Sequence, residues 1–247
     1  MTFAAKVRQE LLPFKDRADR QTVVILLSAS VLLTVFRYYG SSRFFDNHLA
    51  QYLRNAAAAP QLRTLYSFCA AALLMLVVPM FLIKGILRKN VSDFGWQVGD
   101  WRLGLALVGI LLPLTAAILL WPAAHDAAFR AEYPLFHAAG KTLSFFSLYA
   151  MIYGLYYIGW EFFFRGFMLF GLRDAVGPLN SILISTIPST LMHIGKPDGE
   201  IFAAIIAGIL FGAIALRTRS ILYVFLLHWL IGVTLDCFII MTPGGAG

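Results

Sequence analysis

Apolar residues run in blocks of about 20 along most of the chain, the length an α-helix needs to cross a bilayer core. Polar and turn residues separate the blocks, and the pattern predicts about seven spans, near 22–38, 64–84, 103–122, 143–171, 178–194, 200–216 and 219–241. The fourth is longer than a bilayer requires and is expected to tilt or project from it. Ahead of the first span, Phe3, Val7, Leu11 and Phe14 recur at helical spacing among five bases, which predicts an interfacial amphipathic helix over 1–21. Glu10, Asp16 and Asp19 lie among those bases, and no short apolar core precedes a small-residue cleavage site, so a signal peptide is excluded. Residues 22–247 then read as a single membrane domain. The segment 90–102, with turn residues around Trp96 and Trp101, reads as an interfacial connector. The fold class is an all-α polytopic membrane bundle.

Composition agrees. Hydrophobic residues make up 60% and charged residues 13% of 247, too little polar surface for a water-soluble domain. The apolar excess excludes a disordered chain, and two cysteines, Cys69 and Cys237, both inside apolar runs, exclude a disulfide scaffold. A net charge of +7 suggests nucleic acid in a soluble protein, but here the bases flank apolar spans and form no stripe interleaved with aromatics. Membrane lipid is the expected contact, and nucleic acid is not. Counted on alternating sides with the N-terminus inside, the segments between spans carry 12 Lys and Arg inside and 7 outside. A cytoplasmic N-terminus in a cell inner membrane is therefore expected.

Ionisable groups inside apolar spans cost roughly 2.5–3.5 kcal/mol each at the bilayer centre, so they carry the functional signal. They are Glu161, Arg165, His193, His228 and Asp236. At about 1.5 Å per residue from the expected cytosolic ends, they fall at overlapping depths, roughly 13 to 25 Å for the two imidazoles and the two acids. Tyr153, Tyr157, Glu161 and Arg165 follow at four-residue spacing and share one face of the fourth helix. His228, Gly232 and Asp236 do the same on the seventh. Each group alone has a structural explanation, as an ion pair within one helix or a hydrogen bond between helices. Together, an acid, two imidazoles and a guanidinium are the minimal equipment for activating a water molecule. No H-E-x-x-H zinc motif, G-x-S-x-G elbow or P-loop is present.

The run Trp160-Glu-Phe-Phe-Phe-Arg-Gly166, followed by His193 and His228 on the next polar-bearing helices, resembles the CPBP (CAAX protease and bacteriocin-processing, or Abi) family of intramembrane proteases. Its motifs are E-E-x-x-x-R, a histidine, and H-x-x-x-N, and the resemblance covers about residues 85–241. It implies hydrolysis of a peptide bond in a membrane-associated peptide or lipid-modified protein. Carried over, Glu161 is the base, His193 its partner in orienting water, His228 an oxyanion donor, and Arg165 the group that fixes Glu161. Two positions depart from the motifs: Trp160 replaces the first acid and Gly232 the asparagine. Asp236, as a second carboxylate, and Tyr157 are auxiliary candidates. Lys196 and Glu200, just after His193, read either as a solvated pair or as groups that orient the site.

No cofactor is expected, although two histidines and two carboxylates leave a divalent metal such as zinc open. Two readings stand side by side: a glutamate- and histidine-dependent endopeptidase, and a catalytically decayed relative acting as a membrane binding or scaffold protein. A proton-coupled transporter is disfavoured by the lack of inverted repeats. The four phenylalanines at 162–164 and 167 read either as a lipid-facing groove or as packing.

Overall fold

The structure is a computed structural model, and it describes residues 2, 17–53 and 58–242. The interfacial helix expected over 1–21 therefore falls almost wholly outside the described residues. Among those residues there are only helices and connections, with one isolated bridge between Ile194 and Lys196. This is an all-α membrane protein.

Among the described residues seven long helical bodies follow one another, each near an apolar block of the sequence. α1 begins at Arg17–Val35 and continues through further helical turns to Tyr52. α2 is Ala59–Leu87 and α3 is Trp101–Ala123. α4 opens as Leu143–Glu161 and runs on through Phe162–Phe170, wound more widely with i→i+5 hydrogen bonding, into Gly171–Val176. α5 is Pro178–Leu191, α6 Asp198–Thr218 and α7 Leu222–Met241.

Five of these, α1, α2, α3, α6 and α7, are long and apolar enough to cross a membrane. The other two differ from the expected spans for separate reasons. α5 has 14 residues, about 21 Å at 1.5 Å per residue, and is short of a bilayer core. α4 is long enough, but Tyr149, Tyr153, Tyr156 and Tyr157 with Gly154 and Gly159 dilute its apolar character. All of these but the partly buried Tyr156 are buried against neighbours, so α4 is a core element of the bundle.

The wide turn of α4 is the centre of the fold. Every residue from Phe162 to Phe170 is buried, and Phe162, Phe163, Phe164 and Phe167 are fully enclosed. This settles the phenylalanines as packing rather than a lipid-facing groove. The lipid-facing surface lies elsewhere, on residues such as Leu27 and Val31 of α1, Ile110 and Ile118 of α3, and Phe202 and Ile206 of α6, all exposed.

Two further contacts place the site. α5 and α6 pack at close range because Gly208 lets them meet: a Cβ there would lie 2.6 Å from the Thr186 side chain. The connector after α2 is tied to the α6–α7 turn rather than lying free at the interface. Asp100 N–H donates to Thr218 O at 2.9 Å, Ile221 N–H to Gly95 O at 3.0 Å, and the Tyr223 hydroxyl to Val98 O at 2.6 Å. This fixes where α7 starts, and with it the height of His228.

Candidate active site

α4 and α7 face each other antiparallel, and their polar stripes meet in register. At one end the Tyr149 hydroxyl donates to Asp236 Oδ2 at 3.0 Å. In the middle Tyr157 lies against Gly232, where a Cβ would come within 2.1 Å of its hydroxyl oxygen. At the other end His228 Nδ1 lies 2.6 Å from Glu161 Oε1. The four-residue spacing read from the sequence keeps these groups on one face of each helix, so that they meet in this way.

Glu161 is completely buried, and a second donor reaches the same oxygen, Arg165 Nη1 at 3.1 Å. The guanidinium is also enclosed and rests over the Phe211 ring, 5.5 Å from its centroid. A buried carboxylate needs such company, because an unpaired one costs several kcal/mol. Its other oxygen, Oε2, has no hydrogen-bond partner among the described residues. The His228 ring is held between Tyr157 and Phe211, with centroids at 4.6 and 5.4 Å. Its Nδ1 is committed to Glu161, so Nε2 is the atom left for chemistry.

His193 is placed differently from the arrangement the resemblance implies. It sits in the turn after α5, where Pro188 lies one turn before it. Its Nδ1 donates to the Ser189 carbonyl at 2.8 Å, and the Trp160 ring meets it edge to face at 5.3 Å. The carboxylate nearest its Nε2 is that of Glu200 on α6, at 4.0 Å. Glu161 is bonded to the other histidine.

Glu200 is therefore not half of a solvated pair with Lys196. Lys196 bonds to Glu132 instead and lies over the Tyr133 ring, while the Tyr133 hydroxyl donates to Glu200 Oε1 at 2.8 Å. Tyr133 stands outside the spans. Burial, and after it the nearby Glu200 carboxylate, raise its pKa well above the tyrosine range, so it remains a donor. The signal for Glu200 in the sequence was weak. It lies seven residues beyond His193 across a Gly-Lys-Pro turn, and only the turn's geometry brings the two together.

Asp236 is buried and held by Tyr149. It lies two turns beyond His228, about 12 Å along α7, and so stands apart from Glu161. Among the described residues no group of three or more His, Cys, Asp or Glu is placed to hold a metal ion.

Residues 142–234 match the family model described as type II CAAX prenyl endopeptidase Rce1-like. This stretch is similar to the CPBP family of CAAX proteases. The CPBP match begins at the N-cap of α4 and ends within α7, narrower than the stretch from about 85 to 241 that the motifs suggested. It takes in Glu161, Arg165, His193, Glu200, His228 and Gly232, and it leaves out Asp236. The activity that belongs to that family is that of a CAAX protease-type membrane endopeptidase. No curated protein and no solved structure matches the chain significantly.

Proposed function

We propose that the protein hydrolyses a peptide bond of a membrane-associated peptide or lipid-modified protein, using water activated by a glutamate and a histidine. One observation carries this reading: two acid–imidazole pairs, Glu161 with His228 and Glu200 with His193, converge from three helices and the turn after α5 inside the matched stretch. Glu161, held by Arg165, accepts from His228 Nδ1 and aims the ring, so that Nε2 faces the oxygen that becomes negative as water adds to the carbonyl and, when it carries a proton, donates to it. His193 supplies the second imidazole, on the water. The chemistry calls on no cofactor. Membrane lipid surrounds the site, and the distribution of basic residues supports a cytoplasmic N-terminus in a cell inner membrane.

The test is cleavage by the full chain in vesicles, followed with quenched-fluorescent peptides with and without a farnesylated C-terminal cysteine. Glu161→Gln and His193→Ala are each expected to abolish cleavage while membrane insertion is kept, and His193→Ala should also unfold near the parent temperature; Glu161→Gln leaves the Arg165 guanidinium enclosed without its partner and should unfold earlier. Cleavage at the parent rate by both variants would sink the mechanism.

A further inference from the structure

The family motif's first acid is replaced by Trp160, whose indole offers no proton-accepting atom. Its ring is buried edge-on to His193, so the face of His193 where that acid belonged is closed by an aromatic wall. On its other side His193 meets a different acid. With Nδ1–H donating to Ser189 O, the neutral ring keeps its lone pair on Nε2. That atom stands 4.0 Å from Glu200 Oε1.

Two acceptors at that separation are too far apart for a direct hydrogen bond, and they are at the distance of about 4 Å that one shared water spans. A water donating one O–H to each keeps an oxygen lone pair free. Glu200 is held for such a role: Tyr133 donates to Oε1, and Oε2 is buried with no hydrogen-bond partner among the described residues. Lys196, the nearest cation, is engaged with Glu132. The His193 and Glu200 side chains retain 15% and 21% exposure, whereas Glu161 has none and its Oε1 already takes two donors.

Resting on the endopeptidase reading, we propose that Glu200 is the catalytic acid–base, which with His193 holds the attacking water, and that Glu161 is the fixed hydrogen-bond partner that orients His228. The water oxygen bonds to the carbonyl carbon while one water proton passes to Glu200 and the carbonyl π pair moves onto its oxygen. The pair then returns, the C–N bond breaks, and the proton on Glu200 goes to the departing nitrogen. Water is consumed, an acid and an amine are formed, and Glu200 is restored.

The experiment compares parent, Glu200→Gln, Glu200→Asp, His193→Ala and the double variant Trp160→Glu/Glu200→Gln, as full chains in phosphatidylethanolamine/phosphatidylglycerol vesicles with the peptide panel above. Glu200→Gln is expected to lose roughly 100-fold or more in rate, the scale of general acid–base catalysis. Glu200→Asp should fall between it and the parent. Trp160→Glu returns an acid to the motif position beside His193, so the double variant should recover at least ten-fold over Glu200→Gln, a gain that a merely structural glutamate would not permit. Parent-like cleavage by Glu200→Gln, or by Glu200→Asp should the glutamine variant not fold, with His193→Ala inactive, overturns the role of Glu200 and leaves the endopeptidase reading intact. A parent that cleaves no peptide of the panel overturns both.

Discussion

The two acid–imidazole pairs are built from the same residue types and behave as opposites. The inner pair, Glu161 with His228, joins the middles of two long helices, is closed at 2.6 Å and is backed by a buried guanidinium. The outer pair, His193 with Glu200, joins the end of one helix to the start of the next and stays open at 4.0 Å. Its surroundings are a tyrosine hydroxyl and a half-exposed ion pair. A closed pair fixes charge and orientation, and an open one has room for a reactant. Reading them as one interchangeable set of acids and imidazoles hides that division of labour.

Changes to the inner pair should have the largest effect on stability. Arg165→Leu leaves the Glu161 carboxylate enclosed with half its compensation, and a loss of about 3–5 kcal/mol is expected, measured by thermal unfolding in detergent. A variant as stable as the parent would show that His228 alone compensates the charge. Next comes Gly232→Ala, whose Cβ would collide with the Tyr157 hydroxyl; a cost of about 1–3 kcal/mol is expected. Tyr157→Phe in the same chain should recover part of it, since ring carbons at 2.8 and 3.0 Å still crowd the Cβ, and no recovery at all would show that the hydroxyl is not what fills that space. For the outer pair's support, Lys196→Ala should cost at most about 1 kcal/mol, because Lys196 and Glu132 are partly exposed. A loss as large as that of Arg165→Leu would erase the contrast between the pairs. A comparably small effect is expected of Trp160→Phe. Nε1 of Trp160 has no hydrogen-bond partner among the described residues, so only packing changes, and stability should shift by no more than about 1.5 kcal/mol.

The two helix faces that carry the inner pair were legible in the sequence, and the outer pair was not. Glu161 and Arg165 are four residues apart on one helix, and His228 and Gly232 repeat that spacing on another, so helical periodicity alone puts each set on a face. The spans were legible for the same reason, except where α4 trades apolar residues for tyrosines and α5 is cut to 14 residues. Glu200 was hidden because its meeting with His193 depends on the path of the turn at 192–197, which no periodicity encodes. The pairing of Glu161 with His228 rather than His193 was hidden too, since three-dimensional neighbours of helices depend on how the helices pack. Trp160 and Gly232 were visible as departures, but what fills their places was not.

At Gly232 the answer is an exchange across a helix interface. The room that an asparagine side chain would take on α7 is occupied from the opposite side by the Tyr157 hydroxyl, which in turn donates to Tyr153. The bundle has thus kept a polar group at that height while changing the helix that brings it. A consequence follows for redesign: restoring asparagine at 232 by itself should damage the protein, and restoring it together with a small residue at 157 should be tolerated. Positions 157 and 232 are one design variable rather than two.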